Sequence, residues 1–144
     1  LRVQGVTGAY VDESIGVVNV YVHDAAGNLP EELKQEVKQS LIEYRSAGIE
    51  VVVSPVVKKP VDLQIAIVLY PGFDPDKYKT IIEDSVTSYL NYYSVSRDLI
   101  KADVIKYIMS IDENAILNMS INLEGDVMAD KYELIRAGNI VVTI

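Results

Sequence analysis

Alternation of apolar and polar residues runs through four stretches of the chain and limits what it can fold into. In residues 16–23, GVVNVYVH, every second residue from the second valine onward is again a valine. Residues 61–69, VDLQIAIVL, alternate in the same way, as do residues 49–54 and 115–123. Successive side chains of a strand point to opposite faces, so each stretch predicts a strand with two unlike faces. A polar second face favours an antiparallel sheet that is solvated on one side.

Three other stretches have the apolar spacing of a helix. The first is predicted to begin after Asn28 as N-cap, because Glu31 follows three residues later as in a capping box. The second is predicted to begin at Pro75, with Asp74 as its N-cap. The third is predicted over about 96–111. The apolar stripe of the first helix consists of Leu33, Val37, Leu41 and Tyr44.

A single glycine separates the first predicted helix from the strand after it, in the stretch YRSAGIEVVVSP. Gly48 follows the last helical turn, where free carbonyls and the negative end of the helix dipole attract cations such as Arg45. Phosphate-binding loops use the opposite end of a helix. We therefore predict that Gly48 is a left-handed residue that ends the helix, with a structural role.

The predicted elements follow the order β-β-α-β, β-α-α-β and a terminal β pair that turns at Gly138 and Asn139. This order predicts an α+β fold of two βαβ-like halves, with about three helices packed on a largely antiparallel sheet. We expect two subdomains, residues 1–57 (ββαβ) and residues 58–144 (βααβ plus the terminal β pair). The chain starts without methionine, close to a strand-like segment, and is therefore expected to be a fragment of a longer chain.

Charge and residue types argue against several classes of function. A net charge of −8 opposes binding to a phosphate backbone, so nucleic acid is not an expected partner. No apolar run approaches the ~20 residues that span a bilayer, so no membrane partner is expected. With one histidine and no cysteine, a zinc site lacks ligands. His23 and Asp24 are neighbours with opposite directions in a strand, which disfavours a catalytic triad.

We therefore expect no catalytic, cofactor-binding or metal-binding residues, and no enzymatic activity. Asp74 and Asp76 could hold a cation, but the first turn of a helix accounts for both carboxylates. One alternative stays open, a small α/β ligand- or cation-binding regulatory module or enzyme domain. It requires that acidic loop residues converge on one site, namely Asp112, Glu113 and either Asp126 or Asp24.

Tyrosine is unusually frequent, with ten tyrosines against one phenylalanine and no tryptophan. Tyrosine is enriched at interfaces because it buries a large area and keeps a polar end. Tyr89 and Tyr93 fall on the buried stripe of the second helix, whereas Tyr92 falls on its flank. Tyr92 and Tyr93 are the candidate interface residues, and the alternative is that these tyrosines only cover the sheet.

Five blocks follow one another in a recognisable order. Paired strands come first, then a helix that ends in Arg-x-x-Gly, a valine-rich strand, another strand, two consecutive helices and closing strands. In this order the chain resembles the C-terminal part of the baseplate J-like family, structural proteins of contractile phage tails and related prophage particles. The blocks are GVTGAYVDES, GVVNVYVHDAAGNLPEELKQEVKQSLIEYRSAGIEVVVSP, KPVDLQIAIVL, YKTIIEDSVTSYLNYYSVSRDLIKADVIKYIMSID and YELIRAGNIVVTI.

The resemblance implies a structural component of a phage or prophage baseplate, located in the virion tail and assembled in the host cytoplasm. Its implied partners are other baseplate wedge proteins, and a homo-oligomer is compatible with it. The family has no catalytic residues to carry over to this chain. Strand edges and tyrosine-bearing helix flanks are the surfaces through which such a module is expected to bind its neighbours.

Overall fold

A computed structural model describes residues 3–43 and 47–144, and these residues form an α+β fold, which confirms the predicted class. They contain three helices and two three-stranded sheets, both of which are mixed. The strands are β1 (Gly8–Ser14), β2 (Val17–His23), β3 (Glu50–Pro55), β4 (Val57–Leu69), β5 (Ile116–Ile121) and β6 (Glu133–Thr143). The helices are α1 (Glu31–Ser40), α2 (Pro75–Asn91) and α3 (Lys101–Ile111).

The chain divides into two compact units. The first comprises residues 1–58 with two short later segments, 94–96 and 130–134. The second comprises the remaining residues of 59–144. The change from one unit to the other after residue 58 lies within the stretch SPVVKKP. The two short segments have no counterpart in the predicted subdomains, because no local pattern marks them.

The first unit is built on a sheet of order β1-β2-β3. β1 pairs antiparallel with β2, and β2 pairs parallel with β3 after the crossover through α1. The alternation in β2 directs its valines toward α1, as the sequence predicts. The core of this unit consists of Val20, Val22, Val37 and Val53, all buried.

The second unit is built on a sheet of order β5-β4-β6, in which β4 and β5 are antiparallel. The apolar face of β4 packs with α2 and α3, and each fully buried aliphatic side chain contributes roughly 1.5–3 kcal/mol. The opposite face of β4, which carries Asp62 and Gln64, is exposed. The core includes Leu63, Ile65, Ile67, Ile82, Val86, Leu90, Val104 and Ile108.

The predicted start of the first helix is wrong. The N-cap of α1 is Pro30, and no side chain caps the helix. Asn28 instead donates its amide to the carboxylate of Asp24 at 2.9 Å and accepts a hydrogen bond from Lys58 Nζ at 2.8 Å. Asp24 and Lys58 therefore occupy the amide and the side-chain oxygen of Asn28 that a capping box would use.

The second helix begins as predicted, with Asp74 at the N-cap and Pro75 in the first turn. The Asp74 side chain accepts a hydrogen bond from the amide of Asp76 at 3.1 Å. The third helix begins later than predicted, at Lys101. Ser96, the predicted start, has a φ of +69°, which no right-handed helix accommodates.

The predicted turn at Gly138 and Asn139 is also wrong, because β6 is one continuous strand of 11 residues. The Asp62 side chain occupies the space that a Cβ at residue 138 would fill. Its Oδ1 atom accepts a hydrogen bond from the amide of Asn139 at 2.7 Å. Glycine at residue 138 therefore leaves room for the Asp62 carboxylate to approach the strand.

Gly48 has a φ of +80°, the left-handed conformation that the sequence predicts for it. β3 begins two residues later, at Glu50. Residues 44–46, which include the predicted stripe residue Tyr44 and the predicted cation Arg45, lie outside the described residues. Nothing lies within 4 Å of a Cβ built on Gly48, so only its backbone conformation demands glycine.

We predict that Gly48→Val lowers the free energy of unfolding by about 1 kcal/mol or more, because a β-branched residue disfavours positive φ. The measurement is urea unfolding followed by circular dichroism. Gly125→Val is the matched control, since Gly125 is equally open but has no left-handed φ. Equal effects of the two substitutions would contradict a conformational role for Gly48.

Candidate interaction surface

The C-terminal end of α2 places adjacent tyrosines in opposite environments. Tyr92, the C-cap of the helix, is 86% exposed, whereas Tyr93 is 2% exposed. The Tyr92 amide donates to the carbonyl of Tyr89 at 3.4 Å, which keeps its backbone in the last helical turn. The structure thus presents Tyr92 on the surface of the second unit, where a partner can reach it.

Tyr93 lies in the core of the second unit, so the prediction that it contacts a partner is wrong. Its ring meets the ring of Tyr89 edge to face, with centroids 5.5 Å apart. The guanidinium of Arg97 lies over the same ring, 4.0 Å from its centroid. Burial, more than any other cause, raises the pKa of the Tyr93 hydroxyl.

Sequence reasoning missed Arg136, a buried cation on β6 that holds the end of α2. Its Nη1 atom donates to the carbonyls of Tyr93 and Ile135, both at 2.9 Å. Burial lowers the pKa of the Arg136 guanidinium. A cation is favourable at this position because free carbonyls gather at a helix C-terminus. The one sequence signal is a single charge in the otherwise uncharged run LIRAGNIVVTI.

A second aromatic cluster belongs to the first unit. The rings of Tyr21 and Tyr132 stack with centroids 4.0 Å apart, and Tyr10 approaches Tyr132 at 5.9 Å. The Tyr132 hydroxyl donates to Asp12 Oδ2 at 3.2 Å. Hydrogen bonding with Tyr21, burial and the Asp12 carboxylate raise the pKa of Tyr132 to about 12. These three tyrosines therefore pack against one another in the first unit.

Three of the four acidic residues of the alternative cation site, Asp112, Asp126 and Asp24, accept hydrogen bonds from separate donors. Asp112 accepts the Tyr78 hydroxyl at 2.7 Å, and Asp126 accepts the amide of Lys101 at 2.8 Å. Asp24 accepts the amide of Ala26 at 3.0 Å. Within residues 3–43 and 47–144, no three histidine, aspartate or glutamate side chains are grouped as a metal site would require.

His23 is buried and does not engage the carboxylate of Asp24. Its Nδ1 atom lies 2.7 Å from the backbone carbonyl oxygen of Asp24, which can only accept, so Nδ1 is the donor of this hydrogen bond. Nε2 has no hydrogen-bond partner among the described residues. The ring packs against Gly8, where any Cβ would overlap it. This arrangement lacks the base and carboxylate pairing of a triad.

Each unit also has a cavity on one face of its sheet. The cavity of the first unit, about 390 Å³, is apolar apart from Glu13 and includes Val11, Val18 and Leu41. The cavity of the second unit, about 410 Å³, is lined by polar side chains that include Asp62 and Asn122. Both cavities are shallow features of the sheet surface.

No family model matches the chain, and no curated protein matches it. In the described part of the chain, no helix has both the length and the apolar character needed to cross a membrane.

The hydrogen bond between Tyr78 and Asp112 predicts how stability depends on pH. Hydrogen bonding from Tyr78 holds the pKa of Asp112 below its ordinary 3.8, and the same bond holds the pKa of Tyr78 above 10.0. The lowered pKa of Asp112 stabilises the fold above pH 3.8. This contribution is lost as the pH falls through the pKa that Asp112 has in the folded protein. The raised pKa of Tyr78 stabilises the fold below pH 10.0. This contribution is lost as the pH rises through the pKa that Tyr78 has in the folded protein.

We therefore expect the difference in unfolding free energy between the wild type and Tyr78→Phe to be largest near neutral pH and smaller at either extreme. Urea unfolding from about pH 2 to about pH 11 measures it, a range that spans both ordinary pKa values. Tyr70→Phe is the control, because Tyr70 is 42% exposed and its variant should show a constant difference. A constant difference for Tyr78→Phe as well would contradict the assigned hydrogen bond.

Proposed function

We propose that this chain is a structural module of a phage or prophage contractile-tail baseplate. It would act in the baseplate wedge, through contacts with other wedge proteins, in a virion tail assembled in the host cytoplasm. The order of its sequence blocks, which resembles the C-terminal part of the baseplate J-like family, supports the assignment to this assembly. The surface of the second unit supports the proposal that the chain acts by binding other proteins.

The observation that carries the proposal is the exposure of Tyr92, at 86%, next to a fully packed neighbour. Covering a large aromatic side chain with a partner is favourable, and tyrosines are among the residues that dominate binding energy at interfaces. The backbone at Tyr92 is held by the last turn of α2. Little conformational entropy therefore has to be lost when a partner binds this side chain.

Rigidity of the attachment supports a mechanical role. The guanidinium of Arg136 joins β6 to the carbonyl of Tyr93, and the side chain of Asn91 accepts the amide of Ala137 at 2.9 Å. A force applied at Tyr92 would thus pass into β6 and the sheet without a flexible loop between them. Such coupling suits a wedge protein that transmits a rearrangement of the baseplate ring.

The test is co-purification of the chain with the proteins encoded by adjacent genes, for the wild type and for Tyr92→Ala. We expect the wild type to form a complex that migrates as one species in size-exclusion chromatography. Tyr92→Ala should weaken the complex by about 2 kcal/mol, roughly 30-fold in Kd, because it removes the central aromatic contact. Unfolding of the isolated variant should be unchanged, since the side chain is exposed.

Tyr70→Ala is the control for loss of an exposed tyrosine elsewhere on the same unit and should leave the complex intact. The absence of any complex between the wild type and the neighbouring proteins would overturn the baseplate assignment. A complex that tolerates Tyr92→Ala would overturn the choice of Tyr92 as its contact.

A further inference from the structure

The two edges of the second sheet differ in how far side chains of α2 occupy their backbone amides. At the β6 edge, the amide of Ala137 donates to the Asn91 side chain at 2.9 Å, and the amide of Val142 donates to Glu83 at 3.1 Å. Side chains of α2 therefore occupy donors that an added strand would use. Covering an edge in this way is a recognised means of preventing unwanted strand pairing.

At the β5 edge, backbone groups point away from the sheet. Asn122 donates its amide to the carbonyl of Gln64 at 3.2 Å, so this pair faces inward, toward β4. Inward and outward residues alternate along an antiparallel strand, which directs the amides and carbonyls of Met119 and Ile121 outward. The amide of Met119 is held by its neighbour Asn118 at 2.8 Å. The backbone groups of Ile121 bond to no other described residue on that side.

The side chains of β5 suit an added strand. Met119 and Ile121 are only partly buried against the core of the second unit, so a neighbouring strand would cover the rest of them. Asn118 and Ser120 lie on the exposed face. Residues 114–123, NAILNMSINL, carry no charge, although charged residues on an edge strand commonly prevent pairing. The edge thus offers the backbone donor and acceptor of Ile121, the carbonyl of Met119 and an apolar side.

Acidic residues flank this uncharged strand at both ends. Glu113 is exposed and follows α3, whose C-terminus adds a negative partial charge. Glu124 is exposed three residues beyond the end of β5. No hydrogen bond or ion pair joins either side chain to another described residue. The complementary segment is therefore apolar on one side in its middle and basic at both ends.

A second copy of this chain does not meet that description. In antiparallel pairing of two β5 edges, residues whose backbone groups point outward lie opposite each other. If this pairing is centred on Met119, Asp112 of each copy lies opposite Asp126 of the other, and Glu113 lies within one residue of Glu124. Parallel pairing through the same edge would set each glutamate within one residue of its own counterpart. Both arrangements bring like charges together at both ends, which disfavours pairing.

We propose that the free edge of β5 is a docking site for an extended segment of a different protein, with alternating apolar residues and basic residues at both ends. The segment adds as a further strand of the second sheet, through main-chain hydrogen bonds that give affinity and side chains that give specificity. This inference rests on the edge and its charges and does not depend on the baseplate assignment.

The probe is the peptide KKVTVTVTKK, whose central six residues match the length of β5. We expect it to bind the full chain, with NMR amide shifts confined to 116–121 and their neighbours. A peptide with glutamate in place of the four lysines should bind at least about tenfold more weakly at low salt, because its ends meet like charges. Shifts located elsewhere, or equal binding of both peptides, would overturn the proposal.

Backbone methylation tests strand addition with the wild-type protein. N-methylation of the three valines removes the donors that face β5 in an antiparallel arrangement, and N-methylation of the three threonines removes those that face it in a parallel one. One pattern should abolish binding and the other should leave it largely intact. Equal effects of the two patterns would mean that the peptide does not add as a strand, and would overturn the proposal.

Charge reversal on the protein tests the flanking glutamates. Glu113→Lys with Glu124→Lys should weaken binding of the lysine peptide about tenfold at low salt and strengthen binding of the glutamate peptide. Glu36→Lys with Glu50→Lys is the matched control, with the same change in net charge at exposed sites of the first unit. If both double variants weakened binding equally, the flanking glutamates would have no specific role and the proposed site would be overturned.

Discussion

The surface of the second unit depends on the contact between the buried guanidinium of Arg136 and the end of α2. Burying a charge costs free energy, and here two hydrogen bonds from Nη1 to carbonyls offset that cost. One of these carbonyls, that of Tyr93, lies just after α2, where the helix dipole favours a cation. The contact joins β6 to the end of α2, next to the exposed side chain of Tyr92.

Carboxylates of this acidic chain also join segments of the backbone to one another. Asp126 accepts the first amide of α3, which has no capping side chain of its own, and Asp62 accepts an amide of β6. Asp98 accepts the amide of Ala129 at 2.7 Å. Each joins segments that are distant in sequence, and charge-assisted bonds to amides are stronger than neutral ones. Acids in loops, which in sequence resemble ligands for a cation, here hold backbone segments in place.

Elements encoded by local periodicity could be predicted, whereas contacts between distant residues could not. The alternation of β4 and the cap at Asp74 both depend on neighbours within a few residues, and both are present. The cap assigned to Asn28 and the turn assigned to Gly138 failed because Lys58 and Asp62, distant in sequence, decide those conformations. The same contrast between local patterns and contacts of distant residues applies to the candidate interaction surface. The helical pattern placed Tyr92 on a flank and Tyr93 on the buried stripe, but only the folded chain shows that Arg136 bonds to the carbonyl of Tyr93.

The second sheet places its two candidate contacts on opposite edges. Tyr92 follows Asn91, whose side chain bonds to β6, whereas the free edge of β5 lies on the other side of β4. With strands about 4.8 Å apart, the two edges are separated by roughly 10 Å of hydrogen-bonded sheet. A displacement at one edge would pass to the other through the hydrogen bonds that hold the three strands at this spacing. The two proposed contacts would therefore stay at a fixed distance from each other.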